Sequence, residues 1–485
     1  MHRCRPFWAR LVLDGKVRDF RHVYKRSYHI HFIGIGGIGM SGIAELLLNL
    51  GHEVSGSDIK ETEITRRLKT LGATIHYGHQ PENVAGADVA VFSSAIGPDN
   101  PEVVAADRVH QIQVIRRAEM LAELMRLKYA VLVAGAHGKT TTTSMVGTVM
   151  AESGLDPTVV IGGRLNAWGT NAKLGQGDFL VAEADESDGT FLLYSPTISV
   201  VTNIDTEHLD FFSDLDEIKE TFLEFINKVP FYGLNILCLE DENIQSLLPR
   251  IKKRLVTYGF STQADFQARD VAFDGLSGSY RAYHLGQELG IVTLPIPGWH
   301  NVLNSLAAVA VGHELDIPFE AVRRGLQGMT GVQRRFQIKG EINNITVIDD
   351  YGHHPTEIKA VLKTMADSYP ARRRWVLFQP HRYTRTEALF EDFTTSFYQS
   401  DVLIVTDIYA ASEPPIPGVH AEELAAAIQV HGHGNTRYIA NLEDLVPLLL
   451  EEVTAGDVVL TLGAGNIWQT GEELLQQLRG TQEGT

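Results

Sequence analysis

Residues 135–143, GAHGKTTTT, follow an apolar run, AVLVA, and open a stretch of helical character. A glycine-rich turn at a helix N-terminus presents backbone N–H groups that hold phosphate oxygens. Gly135, Ala136, His137 and Gly138 would supply those amides. Lys139 would reach the β- and γ-phosphates, and Thr140 and Thr141 would add hydroxyls, Thr140 as a ligand for Mg²⁺. The pattern is GxxGK[ST] rather than GxxxxGK[ST], because position 133 is Val. A divalent ion beside a triphosphate needs hard oxygen donors. Two apolar runs end in such groups: FLVAEADESDGTF in Glu183, Asp185, Glu186 and Asp188, and SVVTNIDTEHLDFF in Asn203, Asp205, His208 and Asp210. In a parallel sheet the C-terminal strand ends collect around one ligand.

A second glycine loop lies a hundred residues upstream. HIHFIGIGGIGM carries Gly34, Gly36 and Gly39 in GxGxxG spacing, with Gly37 between them, and SGIAELLLNLG and HEVSGSD follow, the last ending in Asp58. These glycines let a backbone approach a pyrophosphate at a helix N-terminus. The spacing alone does not separate NAD from another nucleotide ligand.

Both loops require strands feeding helices. HIHFIGI, HEVSGSD, TIHYG, VAVFSS and IQVIRR read as strands between amphipathic stretches, which predicts a parallel sheet covered on both faces. The segment 252–296 changes to short runs suited to antiparallel or mixed sheet, and a helix begins near His300, with Pro318 as its stop. ITVIDDY, RRWVLFQP, DVLIVTDIY and DVVLTLGAG then alternate with helices again. The expected fold is α/β in three domains: a Rossmann-like domain over 29–127, a central P-loop ATPase-type mixed-sheet domain over 128–332, and a Rossmann-like C-terminal domain over 333–485. Residues 1–28, rich in Arg and Lys, read as an N-terminal extension without the apolar segment of a secretory signal.

The 485 residues exceed what one core supports. A net charge of −18 argues against nucleic acid or an anionic membrane as partner. No run of about 20 apolar residues is present to span a bilayer. Cys4 and Cys238 suggest neither a disulfide framework nor a zinc site, which fits a cytoplasmic setting.

GIGGIGMSGIAELL, GSD, SSAI, GAHGKTTTT, EADESDGTF, HLD, GWHNVLNSLAA, RRFQ, DDYGHHPTE, FQPHRYTRT, PPIPG and GAGNIW run in this order from about His29 to about Trp468. In this the chain resembles the Mur ligase family. The resemblance implies an ATP- and Mg²⁺-dependent ligase that joins L-alanine to the lactyl carboxylate of UDP-N-acetylmuramate through an acyl phosphate. It makes the first glycine loop a UDP-sugar site, with Gly34, Gly36, Gly37, Gly39, Met40, Ser57, Asp58, Ser93 and Ser94 as its residues. A family member that adds a preformed peptide, and a sensor that binds without turnover, are the competing readings.

By the same resemblance Lys139 is catalytic, and Glu183 and His208 hold Mg²⁺ together with Thr140. Family members carry a carbamylated lysine some fifteen residues after that histidine, where this chain has Leu223. Asn301 and Asn304, three apart on one helical face, fall to the adenine side of ATP, and Arg335, Asp350 and Tyr351 to the nucleotide. His353, His381, Arg382 and Arg385 are implied for the amino acid, the two arginines as a fork for its carboxylate. The expected assembly is a monomer or weak dimer. The third domain is expected to stand open until substrates draw it in.

Overall fold

The structure, a computed structural model, describes residues 11–13, 16–18, 27–93, 95–126, 128–165, 170–209 and 211–483. Most of the basic extension lies outside the described residues, as does Ser94. The chain divides into two compact units, Met1–Leu121 and Ala122–Thr485.

The first unit is built on a five-stranded parallel sheet in the order Thr74–Tyr77, Glu53–Asp58, His29–Ile33, Val89–Phe92, Gln113–Arg116. All five strands expected from sequence are present. Phe32, Ile33, Val54, Ala90 and Val91 are buried, as a sheet covered on both faces requires. The loop after His29–Ile33 turns into the helix Ile38–Asn49, whose N-cap is Gly37.

The second unit contains two sheets. In the ten-stranded one, parallel strands Phe179–Glu183, Tyr129–Ala134, Ile198–Val201, Leu234–Cys238 and Leu255–Gly259 are neighbours. The segment read as antiparallel or mixed is a meander of Phe266–Asp274, Ser277–His284 and Gln287–Leu294. At the other edge Thr158–Leu165 and Thr170–Lys173 add an antiparallel pair not foreseen from sequence, where Gly162 and Gly163 interrupt the apolar run. The helix Lys139–Glu152 packs on Trp299–Glu314 and Phe319–Gln327. The first of these ends at Glu314 with Leu315 as its C-cap, and Pro318 is the N-cap of the second.

The six-stranded sheet runs Gln337–Ile342, Ile345–Asp350, Val458–Leu462, Arg374–Phe378, Val402–Val405, Thr436–Tyr438, parallel except for the first, hairpin-paired strand. Its two faces carry separate cores, one around Phe378, Phe393 and Phe397 and one around Trp375 and Leu377. Each such side chain contributes about 1.5–3 kcal/mol on full burial. This sheet's helix Pro355–Ser368 meets the loop after Ile198–Val201: Thr356 Oγ1 donates to Asp205 at 2.7 Å. The third domain is therefore docked on the central one rather than open, because polar groups at both strand ends find partners across the boundary.

Candidate active site

The nucleotide loop leaves the strand Tyr129–Ala134 at Gly135, with φ 133°, and enters the helix at Gly138, with φ 81°. Both backbones lie where an L side chain is strained. A Cβ at Gly135 would also run into Thr202 and the Asn203 backbone, and one at Gly138 would lie 2.8 Å from Asn304 Oδ1. These glycines seat the loop against the next strand end and against the helix Trp299–Glu314. Asn203 Oδ1 accepts the His137 amide at 2.8 Å.

Lys139 Nζ donates to the Gly135 carbonyl at 2.6 Å and lies 2.9 and 3.0 Å from the two oxygens of Glu186. Burial opposes its charge, but Glu186, Asp185 and Glu183 outweigh this and raise its pKa. Glu186, itself 2 % exposed, also lies 3.6 Å from His208 Nε2. His208 sits in the loop after the strand Ile198–Val201, with φ 57°. With Glu186 in contact and the charges of Asp185 and Glu183 nearby, negative charge exceeds positive here, which favours a hard cation; the described residues whose ligand atoms lie close enough to share one ion are His137, Glu207 and His354. The Mg²⁺ candidates Glu183 and His208 belong to this cluster, and the hydroxyl-bearing Thr140 lines the adjoining cleft.

That cleft, about 210 Å³, runs from His137 and Thr140 past Asn301, Asn304 and Arg335 to Asp350. Ile296, Met329, Val332 and Phe336 give it an apolar end, suited to a planar base. Thr141 lines it as well. Asn301 donates to the Pro297 carbonyl at 2.6 Å, which fixes its amide. Asp350 is held by the Phe336 and Gly352 amides at 2.6 and 2.7 Å, and burial raises its pKa to about 6. Tyr351 lies under both Arg334 and Arg335, 5.0 and 5.5 Å from ring centre to guanidinium.

A second cleft of about 240 Å³ lies between Thr206–Leu209 and Arg382–Leu389. Arg385 NH1 is 3.2 Å from His381 Nδ1, and NH2 is 3.1 Å from Glu207 Oε2. Arg382 NH1 lies 3.8 Å from Glu413. The two arginines expected to fork an amino-acid carboxylate therefore already face protein carboxylates. The rings of His353 and His381 are 5.7 Å apart, and His381 stacks on Tyr409. Burial lowers the pKa of His353 to about 4 and of His381 to about 3, so both imidazoles are neutral at pH 7.

In the first unit, Gly34 and Ile35 donate to the Ser57 carbonyl, both at 2.9 Å, and Gly36 donates to Asp58 Oδ2 at 2.8 Å. Asp58 thus braces the loop instead of standing free for a ribose. Ser57 and Met40 are buried, and the Ser57 hydroxyl donates to Glu102. Ser93 lies beside Gly34. A Cβ on Gly39 would come 2.6 Å from Arg117, which places a guanidinium at the helix start.

Sequence reasoning did not single out Arg117, Glu207 or Glu357, and it named Glu186 and Asp205 only among the acidic groups beside the P-loop. For Glu207 a signal existed, an acid directly before His208; for Glu357 it was the acid closing GHHPTE.

Known proteins resemble this chain along most of its length. The Mur ligase family catalytic domain matches residues 29–129, the Mur ligase middle domain 133–312, and the Mur ligase glutamate ligase domain 334–465. The UDP-N-acetylmuramate–L-alanine ligase of Syntrophobacter fumaroxidans is 68 % identical over 95 % of this chain and 98 % of its own length. The protein of the same name from Geobacter sp. strain M21 is 60 % identical over 95 % and 100 %. The crystal structure of UDP-N-acetylmuramate–alanine ligase MurC from Thermotoga maritima superposes with a TM-score of 0.78 at 29 % identity, covering 94 % of this chain and all of that one. With three family domains matched in order and full-length relatives at this identity, the chain belongs to the Mur ligase family.

Proposed function

We propose that this protein is a cytoplasmic ATP-dependent ligase that joins L-alanine to the lactyl carboxylate of UDP-N-acetylmuramate, giving UDP-MurNAc-L-alanine, ADP and phosphate for peptidoglycan precursors. The observation that carries this reading is the pair of neighbouring clefts. One is lined by the phosphate loop and by apolar side chains, the other by two arginines, and the adjacent residues Asp205 and Thr206 of one loop line the first and the second. The relatives' names supply the substrates. The first unit is assigned to the UDP-sugar, and the division at 127 and 332 belongs to the same reading.

A carboxylate is a poor acyl donor because oxide does not leave. Attack of its oxygen on the γ-phosphorus expels ADP and leaves an acyl phosphate. The alanine amine then adds to the carbonyl carbon, and phosphate departs. Lys139 neutralises the phosphates, a role it takes by exchanging Glu186 for the nucleotide. Thr140, Glu183 and His208 would hold Mg²⁺, which supplies further positive charge to the transferring phosphoryl group. Arg382 and Arg385 orient the alanine carboxylate. The neutral rings of His353 and His381 leave the amine unopposed by further positive charge, and the departing phosphate, a stronger base than either depressed imidazole, takes its proton. The docked third domain keeps water from the acyl phosphate.

The test is a product assay by mass spectrometry with ATP, UDP-MurNAc and, in separate reactions, alanine, serine, glycine or a preformed peptide. Ligation dependent on alanine supports the reading. Product only with the peptide, or none despite bound nucleotide, overturns it.

A further inference from the structure

His137 stands in the phosphate loop, Glu207 in the loop after the strand Ile198–Val201, and His354 at the N-cap of the helix Pro355–Ser368. Packing brings one nitrogen of each ring and one oxygen of the carboxylate within 4.8 Å of one another. His354 and Glu207 are both buried. Bonds of about 2.0–2.1 Å to a tetrahedral ion put its ligands roughly 3.3 Å apart. A modest inward movement of the three side chains would therefore close on one ion.

A metal-bound histidine is oriented by donating its other N–H to a carboxylate or a carbonyl. Both rings have such acceptors in place. His137 Nε2 is 2.9 Å from Asp205 Oδ2, and its Nδ1 is 3.5 Å from Glu357. The same Asp205 oxygen lies 3.5 Å from His354 Nδ1, and the Thr206 carbonyl lies 3.3 Å from His354 Nε2. Whichever nitrogen of either ring took the ion, the other would retain an oxygen partner. Burial opposes a charge on His137, yet Asp205, Glu357 and Glu207 hold a proton there and raise its pKa to about 10. A divalent ion displaces that proton and answers the same carboxylates with more charge. Arg385 NH2 lies 3.1 Å from one oxygen of Glu207, and the carboxylate has a second to give.

We propose that His137, Glu207 and His354 form a site for a borderline transition-metal cation of the Zn²⁺ class, separate from the Mg²⁺ candidates Thr140, Glu183 and His208, and that an ion there clasps the third domain to the phosphate loop. Two imidazoles and a single carboxylate suit Zn²⁺, whereas Mg²⁺ prefers oxygen donors throughout. The site is independent of the substrates assigned above.

The competing account is that these groups only fill the junction with hydrogen bonds, His354 as a cap whose Nδ1 accepts the Thr356 amide at 3.3 Å. Asparagine caps as well, so His354→Asn keeps a cap and removes the ligand. Glu207→Gln and His137→Gln remove the other two.

Zn²⁺ is titrated into the full chain by calorimetry, with Mg²⁺ in millimolar excess to fill oxygen-donor sites, and hydrogen exchange is followed with and without Zn²⁺. Wild type is expected to bind zinc with micromolar affinity or tighter, and to exchange more slowly at the start of Pro355–Ser368 when zinc is present. Each of the three variants should lose at least about tenfold in zinc affinity, and the added protection with it. His208→Asn should keep both. Thermal unfolding without zinc identifies any variant that is not folded, and the remaining variants then carry the test. A wild type that takes up no zinc overturns the inference. So does an affinity that survives all three substitutions, or one that falls only in His208→Asn. Zinc bound through these residues without added protection of the helix overturns the clasp.

Discussion

Lys139 spends its donors on Glu186 and a loop carbonyl, so the protein carries an internal substitute for the phosphate it is to meet. Lys139→Ala is expected to abolish ADP release. UDP-MurNAc affinity, measured by calorimetry, should remain nearly unchanged, because the two glycine loops belong to different compact units. Arg385→Ala should raise the alanine KM about ten- to hundredfold, the equivalent of roughly 1.5–3 kcal/mol for hydrogen bonds to a charged group. The ATP KM should move much less. Because Arg385 also balances the buried Glu207, the variant leaves an uncompensated charge, a loss of about 3–5 kcal/mol in such pairs. Repeating the measurement in a Glu207→Gln background separates binding from stability; an ATP KM that rose while alanine was spared would make the loop a phosphate clamp. NAD is expected not to bind at micromolar levels, since Asp58 is committed to the Gly36 amide. Saturable NAD binding displaced by UDP-MurNAc would reverse that conclusion.

The helix Pro101–Val104 is only four residues long, yet it carries Glu102 under the sheet of the first unit. There the carboxylate is fully buried, 2.5 Å from Asn83 Nδ2 and bonded to Ser57, with His31 Nε2 at 3.6 Å. Ser57 in turn holds the first amides of the glycine loop, so this short element anchors a loop far away in sequence. Burial favours the neutral acid, but the nearby His31 ring and the hydrogen bonds from Ser57 and Asn83 outweigh it and lower the Glu102 pKa to about 2. A depressed carboxylate stabilises the fold above its ordinary value of 4.5 and loses that contribution as pH falls through about 2. Urea unfolding of the first unit should accordingly weaken over that acid window. In Glu102→Gln the dependence should be diminished, and a window unchanged by the substitution would locate the acid sensitivity elsewhere.

The docking of the third domain on the central one is an electrostatic arrangement with a titratable member. His137 is buried, which disfavours its charge, yet hydrogen bonds to Asp205 and Glu357 and the charge of Glu207 raise its pKa to about 10. His354, 4.8 Å away ring to ring, has its pKa lowered by burial and by His137, and Arg335 shares Glu357. A raised histidine contributes fully below its ordinary 6.5, and the contribution is lost as pH rises through about 10. Hydrogen exchange over Thr206–Leu209 and the start of Pro355–Ser368 should therefore quicken across that alkaline range. His137→Gln should exchange quickly already at pH 7, and protection that is indifferent to both changes would mean that apolar contacts hold the docking instead.

Local chemistry was readable without coordinates. GAHGKTTTT and GIGGIG read as glycine turns between strand and helix, and the structure builds both that way, with Gly138 and Gly37 as the helix N-caps. In the first sheet His29–Ile33 and Val89–Phe92 were legible as buried apolar runs, and the others from their alternation with helical stretches. The pair Thr158–Leu165 and Thr170–Lys173 was not, since glycines and polar residues blur its period. Nor did the sequence reveal that Ser57 and Met40 turn inward, that Arg385 meets Glu207 across 178 positions, or that Glu357 reaches His137. An acid on a helix start looks the same whether it faces water or a histidine two hundred residues earlier. Spacing along the chain encodes which backbone turns form, but charge partners depend on which strand ends packing brings together, and that is settled only when the sheets and helices close on one another.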